Sequence, residues 1–247
     1  MASRMCFGVL VCAAAACACG GCKSHKTTPP VDPPVTAAPD DGWKKEFTVD
    51  KSLLGPVGAN TYVVLYPGKK SVFRDGQATY TVRVLNLTRK VDGVTTRVVE
   101  KRDEVGGKLK QISRTFIAID TLLGNVYCFG KEVDAFDNGE VTHPGEWLSG
   151  VAGARFGMVM PARPKLGDRF CRELAPGIAM DRLEVVGMDE SVQTPAGTFE
   201  HCLSVRETSL LNSETSLKVF APQVGLVKAG DAELVSIKPT LPARPGE

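Results

Sequence analysis

Histidine, the residue that catalytic and metal sites use most often, is scarce in this sequence. Only His25, His143 and His201 occur among 247 residues, and they lie far apart in the chain. A hydrolytic triad and a histidine-ligated metal site both need this side chain. His201 alternates with Phe199 and Leu203, which predicts a half-buried structural histidine on a strand. We therefore predict a non-enzymatic protein with no catalytic residues, no metal site and no cofactor.

A surplus of charge of one sign is also missing. The 30 basic and 28 acidic residues give a formal net charge of +2, and both signs are interspersed, so no basic patch indicates nucleic acid as a partner. Asp134, Asp137 and Glu140 surround an Asn138–Gly139 turn, but their spacing misses that of a calcium loop. We interpret this cluster as a solvated hairpin tip, with weak calcium binding left open.

Long hydrophobic runs are confined to the first residues. A stretch from Met5 to Ala18 is apolar or small throughout and follows Arg4, which is the pattern of a secretory signal. The stretch is shorter than the roughly 20 residues of a membrane-spanning helix. Five of the eight cysteines crowd this region: Cys6, Cys12, Cys17, Cys19 and Cys22.

The start of the chain resembles bacterial lipoprotein signals, in which a small residue precedes a cysteine that is lipidated and becomes the mature amino terminus. Residues 16–18 before Cys19 fit that pattern best, with Cys17 and Cys22 as alternatives and ordinary signal cleavage after residue 18 as another. Gly20 is not the aspartate of an inner-membrane retention signal. The resemblance implies a palmitate-bearing protein of the cell envelope, anchored in the outer membrane and facing the periplasm or the cell surface.

Composition divides the remaining chain into a tether and a folded domain. Five prolines lie between residues 23 and 41, and such a segment favours extended polyproline conformations. We assign residues 1–18 to the signal peptide, 19–46 to the tether, 47–238 to a β-domain and 239–247 to a flexible tail.

The β-domain assignment depends on period-two alternation between turn signals. Apolar residues at 78, 80, 82 and 84 alternate with polar ones, and the phase then slips, which predicts a bulge near Val84. Glycine-containing turns at hairpin spacing predict antiparallel pairing: Asp75–Gly76, Asp92–Gly93, Gly106–Gly107, Asn138–Gly139 and Pro195–Gly197. The sequence therefore predicts an all-β, antiparallel meander.

Two pseudo-repeats, at about 66–140 and 163–237, share landmarks at an offset of about 100 residues. The Pro67–Gly68 turn corresponds to Leu166–Gly167, and the Asp92–Gly93 hairpin corresponds to that at Ala196–Gly197. Coincidence is the alternative explanation. Two meanders of about five strands each would curl into a curved sheet or barrel-like domain of about ten strands.

The connection between the repeats, residues 141–163, lacks periodicity and is rich in glycine and proline. Trp147, Phe156, Met158 and Met160 are nevertheless too apolar for a solvated loop. We expect this segment to have no regular structure and to pack against the inner face of the β-domain, either as a core plug or as a lid over a ligand.

Four runs in the body are typical of one group of proteins: PARPKLGDRF at 161–170, ELAPG at 173–177, TPAGTF at 194–199 and APQVGLVK at 221–228. On these runs the chain resembles an uncharacterised family of bacterial secreted and lipoprotein β-proteins, known as domains of unknown function. The resemblance supports the fold and the envelope location and implies no activity.

The body also contains Cys128, Cys171 and Cys202. Export would permit one disulfide, for which Cys128 with Cys171 is conceivable, and a reduced trio packed as small apolar residues is an equal alternative.

Two functions are compatible with these features. The first is a lipid-anchored module that binds an envelope protein or has a structural role. The second is a carrier, similar to lipocalins or lipoprotein carriers, that holds an apolar ligand in its barrel. Whether inward side chains fill the interior separates them, and the aromatic candidates are Tyr80, Phe116, Phe129, Phe199 and Phe220.

The anchor leads to a first testable prediction. Replacing Cys17, Cys19 and Cys22 together with serine should release the β-domain from membranes as soluble protein, because the thioether to lipid can no longer form. Intact mass analysis of the wild-type membrane fraction should show a lipid-bearing chain that begins at Cys19 or a neighbouring cysteine. Unchanged membrane association of the triple variant would contradict the anchor.

Overall fold

The computed structural model describes residues 41–212 and 214–238, and strands occupy most of this part of the chain. The predicted signal peptide, its three candidate lipidation cysteines, the tether up to residue 40 and the predicted tail lie outside the described residues. No helix in the described ranges is long and apolar enough to span a membrane.

The described chain contains sixteen strands and one 3-10 turn, Lys51–Leu53. In chain order the strands are β1 (Leu54–Gly55), β2 (Lys70–Asp75), β3 (Ala78–Val91), β4 (Val94–Val105), β5 (Lys108–Asp120), β6 (Val126–Asp137), β7 (Glu140–Thr142), β8 (Trp147–Leu148), β9 (Arg155–Met160), β10 (Arg169–Cys171), β11 (Glu173–Leu174), β12 (Asp181–Thr194), β13 (Gly197–Ser209), β14 (Thr215–Ala221), β15 (Gly225–Ala229) and β16 (Ala232–Lys238).

These strands confirm the predicted all-β, antiparallel, barrel-like class. Thirteen of them form one continuous path in the order β10-β12-β13-β14-β15-β16-β2-β3-β4-β5-β6-β9-β11. The path has more strands than the ten predicted, because short strands at its two ends and in the connection between the repeats join the sheet.

The two end strands of the path, β10 and β11, are neighbours in the chain and are separated only by Arg172. In β10, Phe170 pairs with Leu183 of β12, and in β11, Glu173 pairs with Phe156 of β9. The single segment 169–174 therefore joins both edges of the sheet and nearly closes it into a barrel.

The predicted turns are confirmed at all five positions, each of which separates two paired strands. Asp92 and Gly93 have φ values of 49° and 82°, and Gly106 and Gly107 have 56° and 75°. Two consecutive residues with positive φ define a type I′ hairpin turn, whose twist matches that of the flanking strands.

The predicted bulge is also present, since the pairing of β3 with β4 shifts register after Val84. The second half repeats the arrangement around Val185 of β12, where a register shift follows as well. Gly68 N–H donates to Val84 O (2.8 Å) and Gly167 N–H donates to Val185 O (2.9 Å). The two halves thus share a turn, a bulge and the hydrogen bond that links them.

The chain before β2 packs along the sheet. Leu54, Tyr62 and Leu65 from this segment are buried in the larger hydrophobic cluster together with residues of β4, β5, β6 and β9. A smaller cluster is formed by β2 and β13–β16 and includes Phe73 and Leu234.

The expectation for the connection 141–163 is wrong in one respect, because the segment contains β8 and β9, and β9 pairs with β6. Phe156 packs against the larger hydrophobic cluster: its ring stacks on Phe129 (centroids 4.9 Å apart) and lies 6.5 Å from that of Phe47 in the amino-terminal segment. The strand is hard to recognise in the sequence because Gly157 interrupts its apolar alternation.

The prediction for His201 is also wrong. Its side chain is 77% exposed and contacts Asp189, and its φ is +57°. The register of β12 with β13 shifts between Phe199 and Cys202, so that Cys202 and Leu203 are buried and His201 points outward. A local bulge therefore reverses the face that simple alternation assigns to this residue.

Closure of the barrel generates the second prediction, because the segment 169–174 crosses directly over Gly157. An added Cβ at Gly157 would lie 2.6 Å from the main-chain oxygen of Cys171 and closer still to that of Arg172. Gly157→Ala should therefore reduce the free energy of unfolding by about 1 to 3 kcal/mol, measured by chemical denaturation. Gly55→Ala is the control, since its Cβ would meet only a methyl group of Thr121 at 3.2 Å. Equal, small losses in both variants would contradict this crossing.

Candidate functional site

The barrel contains two adjoining chambers beside its two hydrophobic clusters. The narrow chamber, about 230 Å³, is lined by residues of β3, β4, β5, β9 and β12–β15 and by residues 62–65. The wide chamber, about 510 Å³, is lined by residues of β2–β6 and β14–β16. The two chambers adjoin each other and share six lining residues: Val82, Val99, Thr115, Arg172, Lys218 and Leu226.

The number of strands explains why space remains. The diameter of a barrel grows with its strand number, and about eight strands leave an interior that side chains can just fill. This sheet has thirteen strands in its path, and three of the residues that line the wide chamber are small: Ser113, Ala229 and Ala232. The inward side chains therefore leave room for a ligand.

The aromatic residues proposed to fill the interior are distributed differently. Tyr80 lines the wide chamber and Phe220 lines the narrow one. Phe116 and Phe129 are almost completely buried, with relative exposures of 1% and 0%, but they line neither chamber. Phe199 is half-buried against the smaller hydrophobic cluster. Two of the five aromatic side chains thus form walls of the cavity, and none closes it.

A loop, residues 58–66, covers one end of the narrow chamber. The side chain of Asn60 holds this loop in shape: its Oδ1 accepts hydrogen bonds from the main-chain N–H groups of Tyr62 and Val63, and its Nδ2 donates to Gly124 O (3.1 Å). The Tyr62 hydroxyl donates to the main-chain oxygen of His201 (3.3 Å). The opposite, wide chamber reaches the hairpin ends of β2 and of β15–β16.

A network of charged side chains lies where the chambers meet. Arg172 Nη1 is 3.1 Å from Oε1 of Glu207, which also pairs with Lys218. Glu173, next to Arg172 and 1% exposed, lies 3.4 Å from Arg172 Nη1 and 3.7 Å from Lys131 Nζ. Arg172 and Lys218 each keep 22% of their side-chain surface accessible, because both face the chambers.

The charges of this network are mutually dependent. Burial alone would raise the pKa of Glu207, but Lys218 and Arg172 outweigh burial and lower that pKa to about 2. Burial and the Glu173 carboxylate raise the pKa of Asp181. The Glu173 oxygens accept no hydrogen bond from any described residue, so this carboxylate is held by its ion pairs alone.

Lys69 is a second charged feature of the cavity and lies beside the loop at the end of the narrow chamber. Its Nζ donates to the main-chain oxygen of Val224 (2.6 Å). Burial lowers the pKa of Lys69 to about 8.

The four apolar residues singled out in the connection lie elsewhere. Trp147, Met158 and Met160 are buried and Phe156 is half-buried, but none of them lines either chamber. Met158 instead lines a separate pocket, which Phe47 also lines. The structure therefore gives these residues no contact with the interior cavity.

The cysteines and acidic residues form no site in the described chain. Cys128, Cys171 and Cys202 are unpaired and buried. Asp134, in the predicted hairpin tip, pairs with Arg114 at 3.0 Å. Within residues 41–212 and 214–238, no three His, Cys, Asp or Glu side chains are grouped so that they could hold a metal ion.

Sequence reasoning missed the charged residues of the interior, although a signal for them exists. Arg172 follows Phe170, Glu207 follows Val205, and Lys218 precedes Phe220, each at a spacing of two on a strand or its continuation. A charged residue on an apolar face of a strand is expensive to bury unless it is paired. Such positions were therefore candidates for an interior ion-pair network.

No protein-family model, curated protein or solved structure matches this chain. The resemblance to a family of bacterial β-proteins stays a prediction. The arrangement can hold a molecule that has an apolar part for the walls of the narrow chamber and a polar part for the charged side chains.

The network generates the third prediction. Glu207→Gln leaves Arg172 and Lys218 facing each other without their shared carboxylate, and should lower the free energy of unfolding at pH 7 by about 2 to 4 kcal/mol. Because the folded-state pKa of Glu207 is lowered to about 2, its contribution is complete above the ordinary pKa near 4.5 and is lost as the pH falls towards 2.

Denaturation of both proteins between pH 7 and pH 2 measures this effect, and the difference between them should shrink as the pH falls. Glu200→Gln, an exposed position of the same strand, is the matched control and should show little difference at any pH. A difference for Glu207→Gln that stays constant down to pH 2 would contradict the network.

Proposed function

We propose that this protein is a non-enzymatic binding protein of the cell envelope that carries a small apolar or amphipathic molecule inside its barrel. The single observation that carries the proposal is the pair of adjoining chambers inside the barrel. Ligand sites in proteins are concave, mostly apolar and provided with a few polar groups. The narrow chamber with its neighbouring ion pairs fits this description.

The interior supports the carrier hypothesis over a purely structural module. A structural module gains stability from a filled core, since each methylene group removed from water contributes about 0.8 kcal/mol. Here the apolar side chains of Val82, Val99 and Leu226 line both chambers. The inward side chains of this thirteen-stranded path are therefore packed less completely than those of a smaller barrel would be.

The location at the envelope rests on the sequence. The apolar stretch before Cys19 and the proline-rich tether support a lipid anchor and a spacer of roughly 60 Å at about 3.1 Å per residue. A binding domain at the end of such a tether could exchange an apolar molecule with the membrane beside it.

Uptake of a neutral fluorescent probe tests this function. Wild-type protein should enhance the fluorescence of N-phenyl-1-naphthylamine saturably, with about one probe per chain, because the narrow chamber removes the probe from water. Val99→Trp should abolish most of the enhancement, since residue 99 borders both chambers and the larger side chain obstructs the place where they adjoin.

Leu217→Trp is the matched control, because Leu217 is exposed, at 47%, on β14 next to the inward Lys218. It should bind the probe as wild type does. Thr115→Phe places a larger side chain in the same space from β5. It is a second obstructed variant, which is needed if Val99→Trp fails to fold. Absence of saturable binding by wild type, or full binding by both obstructed variants, would contradict the proposal.

A further inference from the structure

The basic residues that line the two chambers are not equivalent in their pairing. Arg172 and Lys218 share Glu207, Lys131 lies 3.7 Å from Glu173, and Lys101 Nζ lies 2.7 Å from Asp103. Among the described residues, Lys69 is the exception: its ammonium has a main-chain carbonyl as its hydrogen-bond partner and no carboxylate within ion-pair distance.

The position of Lys69 is fixed by the fold. Its main-chain oxygen accepts a hydrogen bond from Val84 N–H (3.0 Å), which belongs to the turn and bulge that both halves share. The ammonium occupies the space beside Gly225, where an added Cβ would lie 2.9 Å from Nζ. The glycine at the start of β15 therefore leaves room for the charged end of Lys69.

The walls beside this ammonium are apolar. Val84, Ile117, Leu183 and Phe220 line the narrow chamber together with Lys69. A buried charge without a counter-ion costs stability, and the natural complement of a lone ammonium at the end of an apolar chamber is an anion with a hydrocarbon chain.

We propose that the narrow chamber binds an aliphatic carboxylic acid, with the carboxylate paired to Lys69 and the hydrocarbon chain lying against Ile117, Leu183 and Phe220. This inference rests on the proposed binding function and names the chemical class of its ligand. A chain longer than the narrow chamber extends into the wide chamber past Val82 and Val99.

The charged network is the less suitable place for the carboxylate. An anion near Arg172 and Lys218 would also meet the carboxylates of Glu207 and Glu173, which already neutralise these cations. At Lys69 the incoming carboxylate meets no described carboxylate within 4 Å of the ammonium, so the interaction is attractive without a competing charge.

The test compares dodecanoate with dodecanol, each displacing the neutral probe N-phenyl-1-naphthylamine from the protein at pH 7. Wild type should bind dodecanoate roughly tenfold or more tightly than dodecanol, because a charge-assisted hydrogen bond forms only with the carboxylate. Lys69→Met should lose this preference and bind dodecanol as wild type does. The matched control Lys228→Met, which removes a cation that is paired with Glu233 and lines neither chamber, should keep the preference.

The outcomes separate the two proposals. If wild type binds neither ligand nor the probe, the binding function itself fails. If wild type binds both ligands with equal affinity, or if Lys69→Met still prefers dodecanoate, the binding function stands and the carboxylate assignment is overturned. Lys69→Met should also unfold at a higher temperature than wild type without ligand, because it replaces a half-buried ammonium that has no carboxylate partner with an apolar chain of similar length; a lower unfolding temperature would count against the assignment.

Discussion

The fold depends on one crossing, where the segment 169–174 joins the two edges of the sheet. The main chain of Arg172 passes over Gly157, which has no side chain to obstruct it, while the guanidinium enters the barrel and pairs with Glu207. The residue that closes the sheet is thus also the one that brings charge to the junction of the two chambers. Arg172 therefore contributes both to the closure of the sheet, through its main chain, and to the charge of the interior, through its side chain.

The interior follows from the size of the closed sheet. A thirteen-stranded path encloses more volume than its inward side chains occupy, and residues of the loop at 58–66 line the narrow chamber. Arg172, Glu207 and Lys218 stabilise one another as long as all three remain charged. Lys69 has no such compensation, and a stability cost at an uncompensated residue is typical of positions that serve a ligand.

Much of the fold could be predicted from the sequence because its signals are local. The hairpin turns need glycine or asparagine at positive φ, and the bulge at Val84 appears as a change of phase within a single strand. The similarity of the two halves was visible for the same reason, since the Pro67–Gly68 turn and its counterpart at Leu166–Gly167 repeat a short pattern.

The errors concern contacts between distant parts of the chain. The sequence did not predict β9, because Gly157 interrupts the apolar alternation of this strand. The alternation also does not show that another segment, residues 169–174, crosses over Gly157. His201 was assigned to the wrong face because its bulge arises from pairing with β12. The ion pairs of the interior join β6, β11, β13 and β14, so the paired residues are far apart in the sequence and no short stretch of it contains them all. Lys69 resembles any lysine before a strand, and only the closed barrel shows that its ammonium lies inside.

A crystal structure of the protein soaked with 12-bromododecanoate tests the central claim most directly, because anomalous scattering locates the bromine at the end of the hydrocarbon chain. We expect the carboxylate beside Lys69 and a single bromine peak inside the barrel, in the narrow chamber or just beyond Val82 and Val99. A bromine peak found only outside the two chambers, for example in the separate pocket lined by Phe47 and Met158, with the chambers unchanged, would contradict the account.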